Sequence, residues 1–442
     1  MPGTGKLHAS EAEADALVTI RFNKRRWLLL LGTLGPGILA SSAGNDAGGI
    51  ATYATAGARY GYGLLWALLL ITVALAMIQE MATRMGAVTG KGLSSLIRER
   101  FGLRATVFAM GCLLVANVAT TLADFAGVAA AAELFGVPRW VAVPLAGVGL
   151  WWLVARGSFA RVERTFMALA LVFLTYVAAA FLARPDWTEV LRSLVVPRVP
   201  ATPPGLAFRD HLQGYLLVLI ATIGTTITPW MQFFLQATVV DKGVTIRQYG
   251  FARFDAFFGA FTADLVSFFI IVATASALFY PEMLPHPLED AAAAASALVP
   301  VAGPHAGWLF GAGLLGASLL AASVVPLATA YAVCEAFGFE AGLGKDFRRA
   351  PVFLGLYTLL IGVGACVAMW PGLPLLAVML VAQDINGILL PVILVYMLGL
   401  VNDRRLMGPH VNGVVYNAVV WGMVILVSLL TATMVVTSFW PV

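Results

Sequence analysis

LGTLGPGILASSAGNDAGGIATYATAGARYGYGLLW, residues 31–66, is the stretch that determines the predicted fold. It begins as an apolar helix, changes to small and polar residues at positions 41–49, and then resumes as an apolar helix. Irregular backbone at the depth of a bilayer leaves peptide groups unpaired unless it lines a cavity. The break contains one acid, Asp46, and acids within membrane segments commonly mark ion paths. The break is therefore a predicted binding site, and the alternative is that Asp46 only caps the helix that follows.

The composition is that of a polytopic helical membrane protein. Of the 442 residues, 60% are hydrophobic and 11% are charged, which excludes a soluble domain of useful size. The basic residues form short clusters between apolar segments, so they indicate membrane topology and not a nucleic acid partner. The sequence has no Walker motif, and its five histidines lack metal-ligand spacing. We therefore expect a membrane protein that is not an enzyme and has no resident cofactor.

Windows of about 20 apolar residues predict eleven spans, at 27–57, 62–83, 105–134, 138–155, 164–183, 210–240, 254–280, 307–336, 351–370, 374–400 and 413–438. Most basic residues fall on one side of these spans. The positive-inside rule makes that side cytoplasmic, together with the tail 1–26, and places the C-terminus outside. The tail has no removable signal peptide by its pattern. We expect residues 27–442 to form a single transmembrane domain, and the protein to be a monomer in the lipid bilayer.

Span 6 contains a second interruption. After HLQGYLLVLIATIG comes TTITPWMQFFLQ, where Pro229 has no amide N–H to donate and three threonines crowd the same turn. The two broken spans are five apart, so they enter the membrane in opposite directions. This offset predicts an all-α fold with an inverted five-plus-five repeat, one repeat at about 27–183 and the other at about 210–400, with an extra helix at about 413–438. The alternative is that Pro229 only kinks an ordinary span.

Several segments in combination resemble the natural resistance-associated macrophage protein (NRAMP) family of divalent metal transporters. They are LGPGILASSAGNDAGG, ATYATAGARYGYGLLWALLL and MATRMGAVTGKGLSSLIRERFG in spans 1 and 2, TTLADFAGVAAAAELFGVP in span 3, RVERTF before span 5, the span 6 break, and AQDINGILLP in span 10. The resemblance covers nearly the whole chain. It implies a LeuT-type fold and alternating-access transport of a divalent cation in a prokaryotic inner membrane.

The chain also departs from the family's pattern. Relatives typically read Asp-Pro-Gly-Asn where this chain has DAGG at 46–49, and Met-Pro-His where it has TPW at 228–230. The carboxylate is kept, whereas an amide ligand, a thioether ligand and two histidines of span 6 are missing. Of the paired acids in span 3, only Asp124 remains, with Thr121 in the other position. These differences resemble the prokaryotic branch known as NRAMP-related magnesium transporters.

The altered residues favour a hard ion as cargo. A thioether suits softer ions, whereas carboxylate, carbonyl, hydroxyl and water oxygens suit Mg²⁺, Ca²⁺ and Mn²⁺. Thr228 therefore makes the site more suitable for hard ions, and the missing side chain at Gly49 gives the site more room. Mg²⁺ gives up its water reluctantly and commonly binds through one or two carboxylates with several waters kept. The predicted cargo is accordingly Mg²⁺, Mn²⁺ or both, in a partly hydrated form.

The predicted metal site consists of Asp46, Gly49, Thr225, Thr228 and Gln383. The Thr225 carbonyl and Gln383 enter this set because the resemblance implies them. The predicted cavity-lining residues are Asn45, Trp230, Met231, Asp264 and Asp384, and the predicted proton path contains Asp124. Methionine in a helix also fills packing gaps, which is the alternative interpretation of Met231.

Two other classes of function remain open from the sequence. The same scaffold could carry a small organic solute such as an amino acid, or the protein could sense or scaffold without transport. An anionic solute should require a basic residue near the breaks, and none lies within the spans there. The missing histidines predict weak or absent proton coupling, so both a symporter and a uniporter remain open.

Overall fold

The computed structural model describes residues 36–156, 165, 171–202, 207–279, 304–342, 345 and 347–439. All regular secondary structure in these residues is helical, which confirms the predicted all-α class. The predicted tail 1–26 and the first part of span 1 lie outside the described residues.

The helices of the described part follow the chain from the first break to the last span. In order they are α1 (Pro36–Gly44), α2 (Ala47–Tyr60), α3 (Leu65–Thr89), α4 (Leu93–Leu134), α5 (Arg139–Arg156), α6 (Leu174–Leu182), α7 (Trp187–Val195), α8 (Phe208–Thr226), α9 (Pro229–Asp241), α10 (Tyr249–Leu278), α11 (Pro304–Phe337), α12 (Pro351–Ala368), α13 (Leu375–Val401), α14 (Arg404–Met407) and α15 (Val414–Phe439). Short 3₁₀ turns occupy Leu171–Phe173 and Gly408–His410.

Eight segments of the described part are long and apolar enough to cross a membrane. They are α3, α4, α8 together with α9, α10, α11, α12, α13 and α15. Within the described residues, α1 has nine residues and α2 has fourteen, so neither meets the length criterion alone. The predicted total of eleven spans therefore stays a prediction. The short amphipathic helix α7 lies between the two predicted repeats, in a region where no span is predicted.

Both predicted breaks are present, and the first is shorter than predicted. Only Asn45 and Asp46 separate α1 from α2, so the prediction that all of 41–49 is irregular was wrong. The small residues on either side permit close packing within intact helices. A Cβ atom on Gly44 would lie 1.7 Å from Met231 Cε, and one on Gly48 would lie 2.0 Å from Gln383 Nε2.

The second break consists of Ile227 and Thr228, between α8 and α9. Pro229 is the first residue of α9, a position where the missing N–H has no partner in a helix anyway. The proline therefore starts a new helix and does not merely kink a continuous one. The hydroxyl groups of Tyr53 in α2 and Thr226 in α8 are hydrogen-bonded at 2.8 Å, which brings the two broken segments together.

Helices α4, α8, α10, α11 and α13 all contact α2, the helix that follows the first break. Helix α10 packs along α1, α2 and α3, while α4 packs against α11 and α13. The break is thus surrounded by protein, as irregular backbone in a membrane must be.

Candidate functional site

Asp46 is fully buried and is the N-cap residue of α2. Its Oδ1 atom accepts a hydrogen bond from the Gly49 amide at 2.5 Å. The Gln383 side chain donates from Nε2 to Oδ1 at 3.0 Å and to Oδ2 at 3.1 Å. The capping alternative is therefore realised in the geometry. Capping and ion binding are compatible, because a carboxylate has about four lone-pair directions.

Three oxygen atoms face the space beside Gly49. A Cβ atom at this position would lie 2.7 Å from Thr225 Oγ1, 3.2 Å from Asp46 Oδ1 and 3.4 Å from the Gly44 carbonyl oxygen. The Thr225 hydroxyl has no hydrogen-bond partner among the described residues. The absence of a side chain at Gly49 therefore lets a carboxylate, a hydroxyl and a helix-terminal carbonyl approach the backbone of α2 closely.

Thr228 is the N-cap residue of α9, and its hydroxyl makes no capping bond. This hydroxyl is also buried without a partner in the described part of the chain. Asp46, Thr225, Thr228 and Gln383 all have 0% exposure. Since buried polar groups normally have partners, these hydroxyls are suited to water or an ion. The structure is in a conformation that closes these residues off from solvent.

Asp124 lies beside the first break. Its Oδ1 atom accepts from the Ala47 backbone N–H at 3.4 Å, and its Oδ2 atom has no partner among the described residues. Two carboxylates, from Asp46 and Asp124, therefore meet at the N-terminal end of α2, where the helix dipole favours negative charge. The sequence assigned Asp124 to a proton path and did not anticipate this second carboxylate at the break.

The Asn45 side chain turns toward α10. Its Nδ2 atom donates to the Ala263 carbonyl at 2.8 Å, and its Oδ1 atom accepts from the Ser267 hydroxyl at 2.9 Å. These bonds anchor the break to α10. Asp264 follows Ala263 in the same helix, 5% exposed, with Oδ2 unpartnered among the described residues. A role for Asn45 or Asp264 in lining the ion path stays a prediction.

Met231 and Trp230 lie in the first turn of α9, and both are buried. Met231 packs against Gly44, with its sulfur 3.3 Å from the position of a Cβ there, so its thioether lies close to the end of α1. The Trp230 ring meets Phe234 edge to face at 6.2 Å, and its indole N–H has no partner in the described part. Asp384, by contrast, is only partly buried, and no described contact connects it with Asp46.

Sequence reasoning gave no role in the site to two buried amides near these helices. Asn386 donates from Nδ2 to Gln383 Oε1 at 3.0 Å and to the Thr120 hydroxyl at 2.9 Å. Gln232 is fully buried, and neither end of its amide has a partner among the described residues. The sequence signals were two spacings. Asn386 follows Gln383 by three residues, and Gln232 follows Thr228 by four. Helical residues at these spacings lie on one face.

The possible metal ligands close to Asp46 and Gly49 are the oxygen atoms of the Thr225 hydroxyl and the Gly44 carbonyl. Within the described residues, no group of three or more histidine, cysteine, aspartate or glutamate side chains could hold a metal ion. The oxygens that Asp46, Thr225, Thr228 and Gly44 bring to this break form a shell of carboxylate, hydroxyl and carbonyl groups. Such a shell suits Mg²⁺, Ca²⁺ or Mn²⁺ better than softer ions.

Comparison with known proteins decides the family. A family model described as natural resistance-associated macrophage protein-like matches residues 37–437. The chain belongs to this family. The divalent metal cation transporter MntH of Ralstonia nicotianae is 31% identical over 431 residues, which cover 94% of this chain and 93% of that protein. The NRAMP family is one of membrane transporters and not of enzymes, and the chain is a multi-pass integral membrane protein.

Solved structures share the fold. The manganese transporter of Eremococcus coleocola superposes with a TM-score of 0.73 at 22% identity, covering 93% of this chain and 88% of that chain. A nucleobase-cation-symport-1 family transporter superposes with a TM-score of 0.57 at 14% identity, covering 91% and 93% of the two chains. These likenesses confirm the predicted LeuT-type fold class.

Proposed function

We propose that this NRAMP-family protein carries divalent metal cations across the membrane by alternating access, with partly hydrated Mg²⁺ or Mn²⁺ as cargo. The observation that carries the proposal is the close approach of three buried oxygens, from Asp46, the Thr225 hydroxyl and the Gly44 carbonyl, to Gly49. Thr228 and Gln383 complete the proposed metal site. The names of the relatives, as divalent metal cation and manganese transporters, support the class of cargo.

The charges near the breaks support a divalent cation. Asp46 and Asp124 bring two carboxylates to the N-terminal end of α2, and like charges in a buried site repel each other unless a cation offsets them. Neither residues 36–58 nor residues 210–241 contain a lysine or an arginine. An amino acid or another organic anion would have no basic partner there, which disfavours the alternative cargo.

The ligand types favour hard ions within the divalent class. Thr228 supplies a hydroxyl where relatives supply a thioether, and Gly49 leaves space where relatives supply an amide. The unpartnered hydroxyls of Thr225 and Thr228 suit the waters that Mg²⁺ retains. Met231 lies near the break, and we propose that its thioether serves packing.

We further propose facilitative or weakly coupled transport. Both histidines that relatives carry in span 6 are absent from this chain. Asp124 is the remaining candidate for a proton path, and its Oδ1 atom is engaged with the Ala47 amide.

Uptake into proteoliposomes tests the proposed function. Purified protein would be assayed with Mg²⁺, Mn²⁺ and Ca²⁺ and, in parallel, with a panel of amino acids. We expect saturable uptake of Mg²⁺ and Mn²⁺ and none of the amino acids. Uptake of an organic solute without any divalent cation would overturn the proposal in favour of the alternative.

A further inference from the structure

The Gln383 side chain is held at both ends of its amide. Its Nε2 atom donates to both oxygens of Asp46 at 3.0 and 3.1 Å. Its Oε1 atom accepts from Asn386 Nδ2 at 3.0 Å. Gln383 and Asn386 are three residues apart on α13, so they share one face of that helix. The orientation of the Gln383 amide therefore depends on Asn386.

Asn386 is in turn anchored to α4. Its Nδ2 atom also donates to the Thr120 hydroxyl at 2.9 Å, and that hydroxyl donates to the Ala116 carbonyl at 3.0 Å. Asn386 has 0% exposure, and its Oδ1 atom has no partner in the described part of the chain. The residue thus uses its donor twice while its acceptor stays unused.

This arrangement directs a hydrogen-bond donor at Asp46. An amide NH₂ can satisfy a carboxylate, but it cannot coordinate a cation, which requires the amide oxygen. If the Gln383 amide turns over, its oxygen faces the ion and its NH₂ faces Asn386. That NH₂ then needs an acceptor, and Asn386 Oδ1 becomes one if the Asn386 amide turns over as well. The Thr120 hydroxyl can then donate to the same oxygen instead of to Ala116.

We propose that Asn386 and Thr120 are positioning residues that set the orientation of the Gln383 amide. The two amides form a two-position switch, with the Gln383 NH₂ group on Asp46 without an ion and the Gln383 oxygen on the ion when one is bound. In each position the end of the Gln383 amide that faces Asn386 has a complementary group there, the Asn386 NH₂ in one and the Asn386 oxygen in the other. Gly48 makes the first position accessible, because a Cβ there would lie 2.0 Å from Gln383 Nε2. The inference rests on the proposed function, since it assigns Gln383 to the same site.

The test is a double-mutant cycle measured as Mn²⁺ uptake into proteoliposomes. Asn386→Leu removes the hydrogen bond to Gln383 and should raise the KM for Mn²⁺ about five- to tenfold, the effect of losing one net hydrogen bond. In a Gln383→Leu background the same change should add less than about twofold, because Asn386 then has no amide to orient. An independent structural role would give the full effect in both backgrounds.

Thr120 provides a second variant from a different helix. Thr120→Val removes the hydroxyl at nearly constant volume and should also raise the KM, whereas Thr120→Ser keeps the hydroxyl and should restore the parent's value. These variants keep the inference testable if Asn386→Leu does not fold. The inference is overturned if Asn386→Leu and Thr120→Val both leave the KM unchanged, or if the effect of Asn386→Leu persists in the Gln383→Leu background. Absence of divalent cation uptake by the parent itself would overturn the proposed function together with this inference, so the two failures are distinguishable.

Discussion

Asp46 combines a structural and a proposed transport role in one side chain, and the two can be separated by a single substitution. Asp46→Asn keeps an oxygen for the Gly49 amide, and asparagine caps helices as well as aspartate does, but the charge is lost. We expect Mn²⁺ uptake to fall to background while the unfolding temperature stays close to the parent's. Asp46→Ala should lose uptake and also about 1 kcal/mol of stability through the lost cap. Normal uptake by Asp46→Asn would contradict the assignment.

Gly49 is predicted to matter for the space that it leaves. In Gly49→Ala the new Cβ would lie 2.7 Å from Thr225 Oγ1, so it would push the Thr225 hydroxyl away from Asp46 and disturb the proposed metal site. Losing one bond to a charged group is worth about 1.5 kcal/mol, which raises the KM for Mn²⁺ about tenfold. Gly111→Ala in α4 is the control, because a Cβ there meets nothing within 4 Å. Equal KM values for both variants and the parent would refute the prediction.

The residues of the site differ in how far the sequence could predict them. Asp46 stands out because it is an acid within an apolar span, and Gln383 follows from the family resemblance. The approach of Asp124 to Ala47 could not be predicted, because it depends on how closely α4 packs against α2. Gly127 permits that packing, since a Cβ there would lie 2.3 Å from the Ala47 Cβ.

Helix α4 carries the one acid that remains from the proton path of relatives. Since Asp124 is engaged with the N-terminal end of α2 and the two histidines of the family's span 6 pattern are absent, we expect Mn²⁺ uptake without acidification of the vesicle lumen. A pH-sensitive dye inside the liposomes would measure this. A strong proton flux driven by the metal would contradict this prediction. If Asp124→Asn abolished that flux, Asp124 would be a proton relay.

At the scale of helices, the sequence predicted where the breaks lie better than how long they are. Pro229 marks the second break because a proline is tolerated at the first position of a helix. The small residues before Asn45 suggested a longer irregular segment in the first break, yet they are helical. Gly44 and Gly48 serve close contacts with other helices instead, and such contacts are not visible in a single segment of sequence.

The whole molecule has a predicted orientation that labelling can test. In a background without Cys112, Cys334 and Cys366, a cysteine would replace exposed Lys91, between α3 and α4, or exposed Val137, between α4 and α5. The distribution of basic residues predicts that Lys91 lies in the cytoplasm and Val137 outside. A membrane-impermeant maleimide on intact cells should therefore modify only the cysteine at 137. Labelling at 91 alone would invert the topology.

The number of spans and the limits of the repeats are still predictions from the sequence. Hydropathy counts apolar length, so it gave eleven spans, whereas eight described segments meet the criterion of length and composition. Three further features remain predictions. They are the limits of the two repeats at 27–183 and 210–400, the extra helix at 413–438, and the monomeric state.

Competition between Mg²⁺ and Cd²⁺ for Mn²⁺ uptake in proteoliposomes tests the central claim most directly. The claim is that a buried oxygen shell at the first break selects hard divalent ions. In the parent, which has Thr228 and Gly49, Mg²⁺ should inhibit Mn²⁺ uptake. Cd²⁺ should not inhibit it more strongly than Mg²⁺ does. In the Gly49→Asn, Thr228→Met double variant, Cd²⁺ should gain and Mg²⁺ should lose, because added direct ligands require dehydration that Mg²⁺ resists. A parent that strongly prefers Cd²⁺ over Mg²⁺ would contradict the account.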